Sequence, residues 1–542
     1  MNRNQLLALV MIGGILLATP WYMKNVAGVK PAPRKEVTQP VAEAPAAQVQ
    51  PDRTAPQAQT LAAQNTIPAA VTASVIPADT LWVETDLYRG AFSSLGGGTV
   101  IHWELKDYLK GDKEHGIPVN LIPEGASGNL AMVLDGGVDL SGVVFEKVSD
   151  IENRGQRKVA YRTALANGAT VTRRFTFEES RYDFDLEIAM TGINTYDAGY
   201  TLNWQSGLNP TELTVKDDMP YLQSVAMQGD ELLKTKEKPT GFSEGRTLWA
   251  AVRGKYFTSA LIPRSEPGRG VRLQGEKTQI ADQDKQVNWK RMQMGLVMAG
   301  AEVSDLDVFI GPLDLPTVKG LGVDMEKMMN FGWVLIKPFS VAFYYVLQAM
   351  FGVIGNWGWT IILFSIMIKV VLYPLTRKSF HSMKEMQKLQ PQIKAIQEKH
   401  KSDPQRMNQE VQKVYKEHGV SPLGGCLPML LQMPVLFALF NLFRTTIMLR
   451  QAEWLMISDL SAPDGILMGF HLLPILMGVT MIFQQKLTGG QNPQQKMMAY
   501  FMPIMMTFMF YRISAGLNLY YMMFNLLTIA QELLVKGNKK QE

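Results

Sequence analysis

Residues 357–376 read WGWTIILFSIMIKVVLYPLT, and this stretch decides the fold. As a helix rising about 1.5 Å per residue it spans roughly 30 Å, the hydrocarbon thickness of a bilayer. It carries one charge, Lys369. A charged side chain at the centre of a membrane helix costs about 2.5–3.5 kcal/mol on insertion scales, so it normally faces a polar cavity. Ser365 lies one turn earlier on the same face. The competing account is snorkelling. Arg377 follows only eight residues later, which leaves Lys369 about 12 Å from the boundary, within partial reach of a lysine stem.

Working outward, four further apolar spans follow at about 425–445, 465–484, 497–513 and 515–535. The run Leu6–Ala18 behind Arg3, closed by Trp21 and Tyr22, reads as an uncleaved N-terminal anchor and brings the total to six. The stretch Met497–Ile513 has 17 residues and covers only about 25 Å, so local bilayer thinning or little tilt is implied. Phe331–Ile354 is apolar enough to be a seventh span, but topology decides against it. The loop after residue 376 carries Arg377, Lys378, Lys384, Lys388, Lys394, Lys399, Lys401, Arg406, Lys413 and Lys416, and basic loops stay in the cytoplasm. With the N-terminus inside, Phe331–Ile354 must then lie on the outer face as an interfacial helix. The same parity puts residues 81–325 outside and the tail 536–542 inside.

Within that loop, Met383, Met386, Gln390 and Ile393 recur at helical spacing, and so do Met407, Val411 and Val414. Ser402-Asp403-Pro404 supplies a turn, an N-cap and a proline at the first helical position. Residues 378–420 therefore predict a basic helical hairpin. It is either a docking element for an acidic partner or a solvated loop whose charges set topology.

The N-terminal half has another character. Residues 24–80 form a Pro- and Ala-rich tether after the anchor at 1–23. Residues 81–325 alternate in the manner of strands: Tyr182, Phe184, Leu186 and Ile188 fall on one face, and Gly96-Gly97-Gly98 and Asp135-Gly136-Gly137 mark turns. The chain thus reads as a polytopic α-helical membrane protein with a large antiparallel β-sandwich domain. An interfacial helix at 326–356 joins that domain to a core at 357–535. The tether suggests that the sandwich is loosely coupled to the core.

Polar residues recur in the other spans. Gln432 sits among apolar neighbours, and Asn518, Tyr521 and Asn525 share a face of the last span. They either line a half-wet groove with Lys369 and Ser365 or join helices by hydrogen bonds. Of the 33 methionines, 23 lie from Met325 onward. Flexible thioethers suit a surface that accepts varied apolar partners, and they also serve as lipid-facing filler. The single cysteine, Cys426, excludes an intrachain disulfide. Leu423-Gly424-Gly425-Cys426 has the look of a lipoprotein box but lies far from any N-terminal signal. No Walker A pattern, HExxH motif or nucleophile–base set occurs in the sequence, so catalytic residues, cofactors and metals are all expected to be none.

Six stretches resemble the YidC/Oxa/Alb insertase family. They are Leu372-Tyr373-Pro374-Leu375-Thr376, Pro422-Leu423-Gly424-Gly425-Cys426-Leu427-Pro428, Gln432-Met433-Pro434, Leu473-Pro474-Ile475-Leu476-Met477-Gly478, Gln495-Lys496-Met497-Met498 and Gly516-Leu517-Asn518-Leu519-Tyr520-Tyr521. The anchor and large external domain look like the Gram-negative form. The resemblance implies a five-helix core with a cytoplasm-open hydrophilic groove and a β-supersandwich domain in the periplasm. It also implies an inner-membrane location. The implied partners are nascent membrane proteins, the ribosome, the Sec translocon and the lipid bilayer, with no nucleic acid bound beyond ribosome contact. The family's groove usually carries an arginine where this chain has Lys369, so the charge is kept and the planar donor fork is not. A secondary transporter is the alternative. It would usually show internal repeats and interrupted helices.

Overall fold

The computed structural model describes residues 77–111, 116–192, 199–235, 241–282, 285–401, 403–419, 427–465, 470–488 and 493–537. The expected N-terminal anchor, the tether, Cys426 and the segment joining the hairpin to the next span lie outside them. Among the described residues, the N-terminal half forms two antiparallel sheets. The smaller pairs Thr80–Glu84, Tyr88–Ser93, Thr99–Lys110 and Ile117–Asn120 in that order. The larger starts with Val138–Asp139, Ala131–Leu134, Tyr200–Trp204, Lys285–Met298, Gly268–Asp282 and Phe242–Arg253. It continues through Phe257–Pro263, Val303–Pro312, Asp183–Thr191, Thr170–Glu178, Gln156–Ala164 and Glu146–Asn153.

The two sheets meet through side chains set by strand alternation. Phe184, Leu186, Ile188 and Met190 are buried on one strand, and Val171, Phe175 and Phe177 on its neighbour. Phe92 of the small sheet lies 5.7, 5.0 and 5.5 Å from the rings of Phe175, Phe177 and Phe184. Such pairs contribute about 0.5–1.5 kcal/mol each beyond their buried area. Trp103 stacks on Tyr88 at 4.0 Å, and its indole donates to the Ile310 carbonyl at 2.9 Å. Gly98 has φ +97°, and a Cβ there would sit 2.4 Å from the Phe175 ring, so the turn before the third strand admits only glycine.

The C-terminal half is helical: α1 Lys337–Ile354, α2 Trp357–Lys399, α3 Pro404–Glu417, α4 Leu427–Thr445, α5 Leu472–Thr488, α6 Pro493–Phe510 and α7 Ala515–Gly537. Among the described residues, Lys337–Ile354 and Trp357–Pro374 are long and apolar enough to cross a membrane. Helix α1 turns Ser340, Tyr344 and Leu347 inward, against α4, and leaves Phe339, Tyr345 and Val353 exposed. It stops at Gly355, whose φ of +72° lets its amide reach the Phe351 carbonyl at 2.7 Å. In the hairpin segment, the Asp403 carboxylate accepts from the Arg406 amide at 3.0 Å and Pro404 opens α3, as the sequence signals predict. Leu389 and Ile393 are its buried apolar positions.

The β domain is not loosely attached. Among the described residues, its coupling to the helices runs through the loop after α4. Arg450, on that loop, donates to the carbonyls of Leu109 at 2.9 Å and Thr211 at 2.8 Å and lies 3.4 Å from the Glu212 carboxylate. The Gln451 amide reaches Leu109 and Gly111, at 2.9 and 3.0 Å. Elsewhere the Tyr344 hydroxyl of α1 pairs with Asp314 at 3.1 Å. One apolar cluster joins Val225, Trp249, Ile262 and Phe309 of the sheet to Leu347, Phe364, Leu439 and Leu519 of the helices.

Arg450→Ala leaves the Thr211 carbonyl without its donor, while Glu212 keeps Lys255 at 3.6 Å and Leu109 keeps the Gln451 amide. It is expected to cost about 1–3 kcal/mol, the usual result of leaving one buried acceptor unpaired. An unchanged melting temperature of the purified full-length chain would contradict this. A second outcome concerns Asp218, whose carboxylate accepts from the amides of Thr211 at 2.6 Å and Glu212 at 3.0 Å. Burial, reinforced by the charge of Glu212, pushes this carboxyl up to about 6 from 3.8. Its folded value exceeds its unfolded one, so the stabilisation from proton binding is full below the ordinary value and is lost as pH rises through about 6. Asp218→Asn, which keeps an acceptor oxygen, is expected to flatten that part of the melting-temperature profile. A wild-type slope across this window in the variant would count against the assignment.

Candidate substrate groove

Helix α7 organises the polar side chains of the core. Its positions 518, 521, 525, 528 and 532 recur at spacings of three and four and form one stripe. The stripe meets different partners along its length. Near the start, Asn518 is fully buried and its amide donates to the carbonyls of Phe510 and Ile513, both at 3.2 Å, tying α7 to the end of α6. The Tyr521 ring packs edge-on against Phe510 at 5.4 Å. Two turns after Asn518, the Asn525 amide reaches Thr480 Oγ1 and the Met477 carbonyl on α5, both at 3.4 Å.

Lys369 meets the stripe further along. Its ammonium donates to Thr528 Oγ1 at 2.8 Å and stands 4.5 Å from the centre of the Phe524 ring. Thr528 in turn donates to the Phe524 carbonyl at 2.7 Å. Glu532, one turn beyond Thr528 on the same stripe, is buried. The ammonium therefore has a hydroxyl and a π face around it.

The other sequence-selected residues lie apart from this contact. Ser365 is fully buried on α2, and its hydroxyl donates to the Ile361 carbonyl one turn back, at 2.7 Å. The Gln432 amide on α4 donates to the Tyr520 hydroxyl at 3.2 Å. Tyr520 sits beside Phe364 of α2, with ring centres 6.4 Å apart. Lys369 and Gln432 are thus linked to the row Tyr520, Phe524 and Thr528, while Asn518 and Asn525 turn toward α6 and α5. Thr528 and Glu532 did not figure in the sequence reading. Both continue the period of Asn518, Tyr521 and Asn525, and Glu532 is an acidic residue inside the last apolar run, so the signal was there.

Residues 333–542 match the family model described as 60Kd inner membrane protein, and residues 80–341 match the YidC periplasmic domain. A membrane protein insertase YidC of Chlorobaculum parvum is 36% identical, over 100% of this chain and 96% of its own. The chain belongs to the YidC family of membrane protein insertases. A YidC relative from Chloroherpeton thalassium is 34% identical and is covered to 97%. A solved active YidC insertase, with its first transmembrane domain resolved, is 19% identical, with 85% of this chain and 94% of that one covered, at a TM-score of 0.37. Membership in the YidC family favours an insertase over a secondary transporter. It makes residues 80–341 a periplasmic domain of an inner-membrane protein.

Asn518→Ala removes the donor to the carbonyls of Phe510 and Ile513; Phe510 keeps the Ile513 amide at 3.1 Å, and the Ile513 carbonyl loses its partner. A buried acceptor left unpaired costs about 1–3 kcal/mol, so the α6–α7 turn should loosen and the melting temperature of the purified protein should fall. Equal stability of the variant would show that these bonds contribute nothing.

Proposed function

We propose that the contact of Lys369 with Thr528, with the buried Glu532 one turn further along α7, is the polar centre of a cytoplasm-open groove through which this chain assists the entry of nascent membrane proteins into the bilayer. The observation that carries the reading is the half-buried ammonium held against Thr528 between α2 and α7, where the hydrocarbon would otherwise exclude it. Transfer of the apolar segment itself is downhill, since each central Leu, Ile or Phe contributes about −0.3 to −0.6 kcal/mol. The barrier lies in the polar flank. A charged centre part-way across offers that flank a partner, and an acidic flank exchanges with Glu532 for Lys369. The apolar segment then leaves along the exposed methionine and phenylalanine surface, and no nucleotide is consumed.

The same reading gives the chain six spans, with both termini in the cytoplasm and α1 along the outer interface. Ser365, Gln432, Asn518, Tyr521 and Asn525 belong to the groove wall, where they fix the helices that present Lys369. The basic hairpin faces the ribosome, and the core works alone or beside the Sec translocon.

Insertion of a client with an acidic flank tests the charge. Lys369→Arg is expected to keep activity, Lys369→Ala to lower it, and Lys369→Glu to lower it most, with clients lacking acidic flanks least affected. Equal insertion by all three variants at matched expression would refute the groove's electrostatic role.

A further inference from the structure

Where the β domain meets the outer ends of the helices there is a cavity of about 190 Å³. That is the space of about six waters at roughly 30 Å³ each, enough for a phosphate group and part of its hydration. Its walls carry four cations, Lys216, Lys255, Arg444 and Arg512, against two carboxylates, Glu212 and Asp217. Lys255 is more than nine-tenths buried and lies 3.6 Å from Glu212, so one carboxylate is already engaged. Lys255, Arg444 and Arg512 line the same small cavity as Asp217, which brings their charges together around it. An excess of positive charge remains. Arg444 is held over the rings of Tyr221 at 5.6 Å and Phe440 at 5.4 Å, which orients its guanidinium without neutralising it.

A second feature says what kind of anion fits. Arg444 closes a row on α4 formed by Met433, Phe437 and Phe440, at spacings of four, three and four. Met433 and Phe437 are exposed, each with 39% of its surface accessible. An apolar track thus runs from the cationic cavity along a membrane helix. A free inorganic anion has no use for such a track, and a diacyl lipid needs both parts. Basic pockets between membrane helices are recognised sites for anionic headgroups, and arginine matches phosphate oxygens with its planar fork.

We propose that this cavity holds a phospholipid of the outer leaflet, its phosphodiester among Lys216, Arg444 and Arg512 and one acyl chain along Phe440, Phe437 and Met433. The bound lipid would fill the seam between the periplasmic domain and the core. The assignment rests on the family's placement of the β domain in the periplasm and is independent of the groove mechanism, because its test reads binding and not insertion.

The test uses the purified full-length chain in a neutral detergent, titrated calorimetrically with dihexanoyl phosphatidylglycerol below its micelle concentration, and separately with inorganic phosphate. A saturable lipid isotherm is expected, with no measurable heat from phosphate in the same range. Each basic side chain near an anionic headgroup contributes roughly a factor of five, so Arg444→Gln with Arg512→Gln should weaken lipid binding about thirtyfold. The paired lysine substitutions should retain most of the affinity. Two results would overturn the proposal: equal lipid binding by the wild type and the glutamine variant, or inorganic phosphate binding as tightly as the lipid. The second is read on the unaltered chain and does not depend on any variant folding.

Discussion

A polar group inside a hydrocarbon layer has no water to turn to, and that constraint shapes the helical half of this protein. Lys369 is satisfied by Thr528 and Phe524, Asn518 by two carbonyls at the end of α6, and Asn525 by Thr480 and Met477 on α5. Each bond links α7 to another helix or to the turn that precedes it. The polar residues are therefore ties as well as candidate groove residues. Both roles follow from the cost of leaving such groups unpaired at low dielectric.

Outside the membrane the same physics works through a different set of residues. Arg450 enters the β domain from the loop after α4 and finds the carbonyls of Leu109 and Thr211 and the carboxylate of Glu212. Burying an arginine there is tolerable only because its partners are preformed, by the end of the strand Thr99–Lys110 and by the loop that follows Tyr200–Trp204. The result is a joint with charge at its centre and an apolar cluster beside it. An insertase with such a joint carries its periplasmic domain as part of the core's outer face, with the domain's position set by the helices.

Arg173 shows that the β domain obeys its strand period even where chemistry resists. It falls on the inward face with Val171, Phe175 and Phe177, is fully buried, and donates to the carbonyls of Gly96 and Leu130 at 2.7 and 3.1 Å. Burial lowers its guanidinium well below the usual arginine range, to about 10. The glycine turn that the sequence marks at residues 96–98 is thus also the acceptor for a buried cation, and it brings the two sheets close enough for Phe92 to reach Phe175.

The sequence by itself determined the membrane character of residues 357–535, the change to alternating strands before residue 325, the helix start at Asp403-Pro404 and the oddity of Lys369. These are local properties, set by hydropathy, period and capping, and they need no partner. It also carried the family motifs in order. What only the tertiary structure decided is who meets whom. The period of three and four put Asn518, Tyr521 and Asn525 on one stripe, yet a stripe on a helix can be shared among several neighbours, and here α5, α6 and α2 divide it. The tether's composition suggested a loose domain, because composition reports the chain's entropy and says nothing of contacts made elsewhere. Arg450 and Glu212 are 238 residues apart in the chain, and no local signal announces that a loop arginine will find its carboxylate across that distance. Pairing of buried charges is a property of the packed fold, fixed by the positions of strand ends and helix ends together.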